Sequence, residues 1–270
     1  MTAALKVGIA GLGAIGREVA RKLVGGYIPN SVLAGVTVRD RAKAEAFLKE
    51  IGCKAPVLSI AELAGACDIV IECAPAAVFA DIAQPVLAAG KKLMALSAGM
   101  LLRHPELIAL AKENRGQIIV PTGALIGFDA VSAAAEGDIR SVTMITRKPV
   151  KGLLGAPYLV NNNIEISGLT APLRVFAGSA REAAAGFPEN VNVAAALSLA
   201  GVGPDRTTIE IWADPGVTRN MHRVMVEADS ARFEMSIENV PSENPKTGRI
   251  TALSAIAALR KMTAPLRVGT

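Results

Sequence analysis

The chain has 270 residues, of which 51% are hydrophobic and only 3% aromatic, and carries a formal net charge of +5. That length supports one large or two modest domains with cores of their own. Its apolar segments are interrupted by charge, as at Glu72 and Asp81, and fall short of the roughly 18 apolar residues of a membrane span. The basic residues form no block and few rings are present to stack bases, which argues against nucleic acid and suits small anionic ligands.

Leu5 to Ala10 reads as a buried strand, and Gly11-Leu12-Gly13-Ala14-Ile15-Gly16 follows it directly. Arg17 to Leu23 then reads as an amphipathic helix ending near Gly25-Gly26. Strand, glycine turn and helix start in this order form the fingerprint of a dinucleotide site. The first glycine permits the turn, the second lets backbone N–H groups approach a pyrophosphate, and the third lets the helix pack closely. Gly11, Gly13, Ala14, Ile15 and Gly16 are therefore cofactor-binding candidates, with the positive end of the helix facing the phosphates.

The second strand, Ser31 to Val38, ends in Arg39-Asp40. An acidic residue at this point accepts from the ribose 2′-OH of NAD, whereas a guanidinium suits adenine stacking or the 2′-phosphate of NADP. The two residues also fit the start of a polar loop. Use of both NAD and NADP is the expectation, with Arg39 as a cofactor residue.

Helix and strand signals then alternate: helix Arg41 to Glu50, strand Ile69 to Cys73, helix Ala77 to Ala89, strand Lys92 to Leu96, helix His104 to Asn114, strand Gln117 to Val120. This rhythm predicts an α/β fold with a doubly wound parallel sheet of the Rossmann type. Ligands of such sheets sit at the carboxyl ends of strands. Glu72-Cys73-Ala74-Pro75 is thus a second cofactor edge, with Ala74 in contact, although these small residues also suit a helix cap.

Pro121-Thr122-Gly123-Ala124 breaks the rhythm. Strands are expected at Ile139 to Arg147, Arg174 to Gly178, Thr207 to Ala213, Arg223 to Ala228 and Phe233 to Asn239, in a mostly antiparallel sheet. Helices are expected at Asn190 to Leu199 and, with Leu253, Ile256 and Leu259 at helical spacing, at Ile250 to Lys261. The organisation expected is a dinucleotide-binding domain over 1–121, a smaller α/β substrate and dimerisation domain over 122–240, and a segment 241–270 that returns to the first. A homodimer is expected because the second sheet would otherwise expose a broad face.

Cys53, Cys67 and Cys73 are odd in number and form no C-x-x-C pair, which supports neither a disulfide framework nor a zinc site. They read as buried thiols of a reducing compartment, and the N-terminal segment lacks a basic leader, so cytoplasmic residence is expected.

Histidine occurs only at 104 and 222. His104 precedes Pro105-Glu106 at a helix start, where solvation accounts for it. His222 closes Ala213-Asp214-Pro215-Gly216-Val217-Thr218-Arg219-Asn220-Met221-His222, read as a loop between two strands. A hairpin histidine fits this position; so does an acid-base group near a nicotinamide, since imidazole titrates near neutrality.

The blocks Phe187-Pro188-Glu189-Asn190-Val191-Asn192, Ala213-Asp214-Pro215 with Arg219-Asn220-Met221-His222, and Asn244-Pro245-Lys246-Thr247 closely resemble the signature blocks of the L-aspartate dehydrogenase family. The resemblance extends over essentially the whole chain. It implies oxidation of L-aspartate to iminosuccinate with NAD or NADP, running in reverse from oxaloacetate and ammonia, and a link to pyridine nucleotide biosynthesis. It also implies that His222 is the active-site histidine, that Ala124 and Asn190 contact the cofactor near its nicotinamide end, and that Asn220 lies beside the substrate. Gly123-Ala124 also fits a crossover turn, and Asn190 a helix N-cap. Trp212 is bulkier than the aliphatic residue expected there, and Gly248 stands where serine is more usual.

Two substrate carboxylates need donors, for which Arg147, Lys148, Arg219 and Lys246 are candidates by chemistry. Sequence does not say which of them point inward. A reductase of the dihydrodipicolinate type shares the two-domain plan, but its paired histidines with a following lysine, and its Pro-Ser-Gly-Thr, are absent. A cofactor-binding sensor without catalysis is the rival from another class; it has no need of His222 and Asn220.

Overall fold

A computed structural model of the chain describes residues 3–188, 191–241 and 248–269. It comprises two compact units, residues 1–121 with 252–267 and residues 122–251 with 268–270.

In the first unit the order is β1 (Leu5–Ala10), α1 (Ala14–Val24), β2 (Ser31–Thr37), α2 (Arg41–Glu50), α3 (Ile60–Ala66), β3 (Ile69–Glu72), α4 (Phe79–Ala88), β4 (Lys92–Ala95), α5 (Glu106–Glu113) and β5 (Gln117–Ile119). All strand pairs are parallel, in the order β2-β1-β3-β4-β5. Alternate side chains pack on opposite faces: Val7, Ile9, Ile69, Ile71 and Met94 against Val19 of α1 and Phe47 of α2, and Ala10, Val70, Leu93 and Ala95 against Leu63 of α3, Val86 of α4 and Leu107 of α5. Cover on both faces is why these strands are apolar throughout rather than alternating. The expected doubly wound parallel sheet is thus present. Its order changes direction between β1 and β3, and a ligand crevice opens at the strand ends beside such a switch.

Helix α3 has no counterpart in the sequence reading. It is short, and it is fixed by a capping box in which the Ser59 side chain accepts from Glu62 N–H while Glu62 accepts from Ser59 N–H.

The second unit contains α6 (Phe128–Ala134), β6 (Ile139–Lys148), α7 (Pro157–Asn161), β7 (Leu173–Ser179), α8 (Ala180–Gly186), α9 (Asn192–Ala200), β8 (Thr207–Ala213), β9 (Asn220–Ala228) and β10 (Arg232–Asn239). The sheet order is β10-β9-β6-β8-β7, antiparallel except for the parallel pair β6 and β8. One face is buried through Val142, Met144, Ile209, Ile211, Val224 and Val226.

One expectation changes here. Residues Asn220 to His222, expected in a loop, are the first residues of β9, because the antiparallel register with β6 runs on through Thr146↔His222 to Arg147↔Met221. Backbone pairing along a long partner strand outweighs the weak strand preference of asparagine. The last helix, α10 (Ile250–Thr263), packs through Ala255, Ile256 and Leu259 into the core beside Val19 and Leu23, while Leu253 is exposed. Its end is tied down by Arg260, which donates to the Tyr27 carbonyl at 2.8 Å, and by the Thr263 hydroxyl, which donates to that of Pro29 at 2.9 Å. Among the described residues no helix is long and apolar enough to cross a membrane.

Candidate active site

In the glycine turn of the first unit the three glycines of the fingerprint have different surroundings. Gly11 has φ of +99°, and a Cβ there would lie 2.7 Å from the Cys73 carbonyl oxygen and 2.9 Å from the Ala74 nitrogen. A Cβ on Gly16 would overlap the Gly11 carbonyl oxygen. At Gly13 a Cβ would meet nothing within 4 Å. Gly11 and Gly16 therefore hold strand, turn and helix in contact, whereas Gly13 borders open space. Gly13 is also the N-cap of α1 without a side-chain cap, and no acidic residue stands in the first turn of that helix. Its first backbone N–H groups, including those of Ala14 and Ile15, lack intrahelical acceptors and face that opening with the positive end of the dipole. This cradle fits a pyrophosphate.

Beside it lies an open cleft lined by Leu12, Arg17, Val38, Asp40, Lys43 and Ala44. Asp40 caps α2, accepting from Lys43 N–H at 3.1 Å, and pairs with the Lys43 ammonium at 3.2 Å. These contacts hold the Asp40 carboxyl below its ordinary range. Arg39 is exposed and is not part of the lining; the cations that line the cleft are Arg17 and Lys43, neither of which the glycine spacing singles out.

At the carboxyl end of β3, Glu72 is fully buried. Its carboxylate accepts from Ser97 N–H at 2.9 Å, from the Ser97 hydroxyl at 3.0 Å and from Ala74 N–H at 3.2 Å. Burial pushes its pKa up to about 7 against the opposing pull of the Ser97 hydrogen bonds. Glu72 thereby ties the end of β4 to the crest Cys73-Ala74 on which Gly11 rests, and Ala74 sits half-buried on that crest.

The second unit carries the histidine. On the buried face of its sheet the apolar side chains give way, at the ends of β6, β9 and β10, to Thr146, Lys148, Asn220, His222 and Asn239. Thr146 and His222 are register partners, 2% and 3% exposed, and Thr146 Oγ1 lies 3.1 Å from His222 Nδ1. Burial, then the nearby charge of Lys148, pushes the imidazole pKa down to about 3. Asn220 is half-buried and pairs in register with Asn239. Asn239 donates through Nδ2 to the Ala124 carbonyl at 2.8 Å, and its buried Oδ1 has no hydrogen-bond partner among the described residues. Asn190 and the block Asn244-Pro245-Lys246-Thr247 lie outside the described residues.

The candidate cations separate cleanly. Arg147 alternates to the opposite sheet face, where it pairs with buried Asp214 at 3.0 Å and lies 4.9 Å from the Trp212 ring centroid. Trp212 is thereby accounted for: it gives Arg147 a ring to stack on and donates to Glu210 at 3.0 Å. Arg219 is exposed in the turn before β9. Lys148 is 5% exposed and shares the face of His222.

Residues 11–121 match the family described as homoserine dehydrogenase, NAD binding domain, and residues 129–262 match aspartate dehydrogenase, C-terminal. The L-aspartate dehydrogenase of Bradyrhizobium diazoefficiens is 59% identical over 98% of this chain and 94% of its own length. L-aspartate dehydrogenase 3 of Bordetella bronchiseptica is 55% identical over 98% of each. Among solved structures, aspartate dehydrogenase from Thermotoga maritima shares the fold with a TM-score of 0.74 at 22% identity, covering 98% of this chain and 99% of its own. With a dinucleotide cradle in one unit, a buried histidine set in the other, and relatives matched over nearly their full length, the chain belongs to the L-aspartate dehydrogenase family.

Proposed function

We propose that this enzyme oxidises L-aspartate to iminosuccinate with NAD or NADP, and in reverse aminates oxaloacetate with ammonia, His222 serving as the acid-base group. The observation that carries the reading is the buried Thr146–His222 pair, set in the part of the chain that matches the aspartate dehydrogenase C-terminal family. The bound nicotinamide supplies the hydride acceptor. His222 is neutral at neutral pH because of its lowered pKa, so it is in the form that accepts a proton from the substrate ammonium. If Nδ1–H donates to Thr146 Oγ1, Nε2 is left as the accepting atom. The nitrogen lone pair then forms the C=N bond as the Cα hydrogen leaves with its bonding electrons. The protein's share is orientation and electrostatics, with Asn220 beside the substrate.

Gly11, Gly13, Ala14, Ile15 and Gly16 would hold the pyrophosphate through backbone N–H groups, Arg39 the adenosine end, and Ala74, Ala124 and Asn190 the nicotinamide end. We assign dinucleotide binding to the first unit and substrate binding to the second. A homodimer suits the outward face of the second sheet, where Ile145, Met225 and Trp212 are half-buried among charged residues. The three cysteines are all unpaired, which suits a reducing compartment such as the cytoplasm.

The test is a screen of purified enzyme with L-aspartate and other amino acids, using each cofactor, and with oxaloacetate plus ammonia in reverse. Turnover centred on L-aspartate is expected. Cofactor binding without turnover in either direction overturns the assignment in favour of a sensor.

A further inference from the structure

Asn239, the last residue of β10, is 3% exposed, and its Oδ1 is the one buried side-chain oxygen or nitrogen without a hydrogen-bond partner among the described residues. A buried acceptor left without a donor is destabilising, and folded proteins rarely keep one without a use for it. We propose that Asn239 Oδ1 receives the amino group of the substrate beside His222, and so favours an amino acid over the 2-oxo acid of the same carbon skeleton. The inference rests on the reading of this enzyme as acting on an amino dicarboxylate.

The amide cannot turn to hide its oxygen. Nδ2 donates to the Ala124 carbonyl at 2.8 Å, and reversing the amide would set two oxygens against each other. Gly248 lies beside Oδ1 and brings no side chain to it; a Cβ there would stand 3.1 Å from that oxygen. Asn239 pairs in register with Asn220, and Ile237, two residues before it, pairs with His222. Residues two apart on a strand share a face, so Asn220, His222 and Asn239 stand together. The diagonal from His222 to Asn239 spans about 7 to 8 Å, a gap that one amino group, hydrogen-bonded at both ends, can bridge. Both residues are 3% exposed, so a molecule that reaches the imidazole has come to the depth of the amide oxygen.

Chemistry selects the occupant. An amide oxygen takes only a donor, and ionised carboxylates only accept. The ammonium is therefore the one group of L-aspartate that Oδ1 can hold, and oxaloacetate has none. Once His222 has taken a proton, an N–H that stays on Oδ1 leaves the nitrogen lone pair free to form the C=N bond. That N–H becomes a stronger donor as the nitrogen gains iminium charge. The contact thus strengthens along the reaction and lowers its barrier.

The experiment titrates full-length enzyme, with NAD present, by calorimetry with two probes: 2-methyl-L-aspartate, which has no Cα hydrogen to transfer, and succinate, the dicarboxylate without the amino group. Wild type should prefer the amino probe. Asn239→Leu should cut that preference by about 10- to 100-fold, the scale of a lost hydrogen bond to a charged group, and raise KM for L-aspartate and for ammonia but not for oxaloacetate. Asn239→Asp keeps an acceptor, loses the donor to Ala124, and should retain the preference. Thermal melting checks that both variants fold. An active wild type that binds both probes alike overturns the proposal without any variant. So does an Asn239→Leu enzyme that keeps the preference, that loses both probes equally, as a purely structural tie to Ala124 would, or that loses only NAD, which would make the cofactor carboxamide the donor. A wild-type enzyme that neither binds the amino probe nor oxidises L-aspartate defeats the functional reading itself, a separate and recognisable result.

Discussion

Thr146 Oγ1 and His222 Nδ1 meet at 3.1 Å across the β6–β9 pair, both side chains buried. One ring nitrogen of the histidine is thereby committed to the protein, and the other is left to define the reactive edge. The contact holds the ring in place; where Nδ1–H is the donor to the Thr146 hydroxyl, Nε2 is the accepting atom that the proposed acid-base role requires.

Thr146→Val, nearly isosteric, removes that partner and leaves Nδ1 buried without one. We expect kcat to fall about 10- to 100-fold with KM for the cofactor little changed, and Thr146→Ser to restore most of the rate. His222→Ala should cost more, on the order of 100- to 10,000-fold, the range of general acid-base catalysis. Steady-state kinetics on the three variants decide it; a Val variant as fast as wild type removes the tautomer argument.

Glu72 gives a stability signature. Its folded pKa, about 7, is above the ordinary 4.5, so the folded state holds a proton that the unfolded chain releases between those values. Stability from this group is full below pH 4.5 and lost as pH rises through about 7. Glu72→Gln, which stays neutral, should not show that loss. Between pH 4.5 and 7.5 the stability of wild type relative to the Gln variant should drop by roughly 3 kcal/mol or less, measured by urea unfolding. His222, with its pKa lowered to about 3, has the opposite slope, losing stability as pH falls from 6.5 toward 3. It is present in both proteins and cancels in the difference. A pH-independent difference would mean that Glu72 is ionised throughout.

Much of the first unit was legible because its signals are local. Gly11, Gly13 and Gly16 have fixed spacing, and the apolar runs of β1, β3 and β4 announce strands covered on both faces. The polar face of the second unit was not, because its residues come from β6, β9 and β10 and meet only through register. Nothing near Thr146 marks it as the partner of a residue 76 positions away, and Lys148 and Arg147 differ only in which face of β6 they occupy. The same register turned the expected loop at Asn220 to His222 into strand. Glu72 was visible as part of a strand end, but its link to Ser97, on the neighbouring strand's crest, was not.

Cofactor choice turns on the cleft beside the glycine turn. Asp40 is available at its edge but is engaged with Lys43, and Arg17 and Lys43 add positive charge to the lining. Arg39→Ala and Lys43→Ala should each weaken NADP more than NAD, since only NADP offers the 2′-phosphate, by several-fold in KM at low salt and less at high salt. The exposed Arg39 should show the smaller effect of the two. Equal effects on both cofactors would restrict these residues to adenine or ribose contacts.

The three glycines should fail in different ways when given a methyl group. Gly13→Ala places its Cβ in open space, so the protein should fold and melt near the wild-type temperature while dinucleotide affinity falls, because the methyl occupies the ground a pyrophosphate needs. Gly11→Ala must hold φ of +99° and press on the Cys73 carbonyl, and Gly16→Ala must push α1 off the Gly11 carbonyl. Both should lower the melting temperature of the first unit by several degrees or more, with cofactor binding lost as a consequence. Melting curves with and without NAD, beside equilibrium binding, separate the cases. A Gly13→Ala protein that binds NAD like wild type would place the pyrophosphate somewhere other than over the N-terminus of α1.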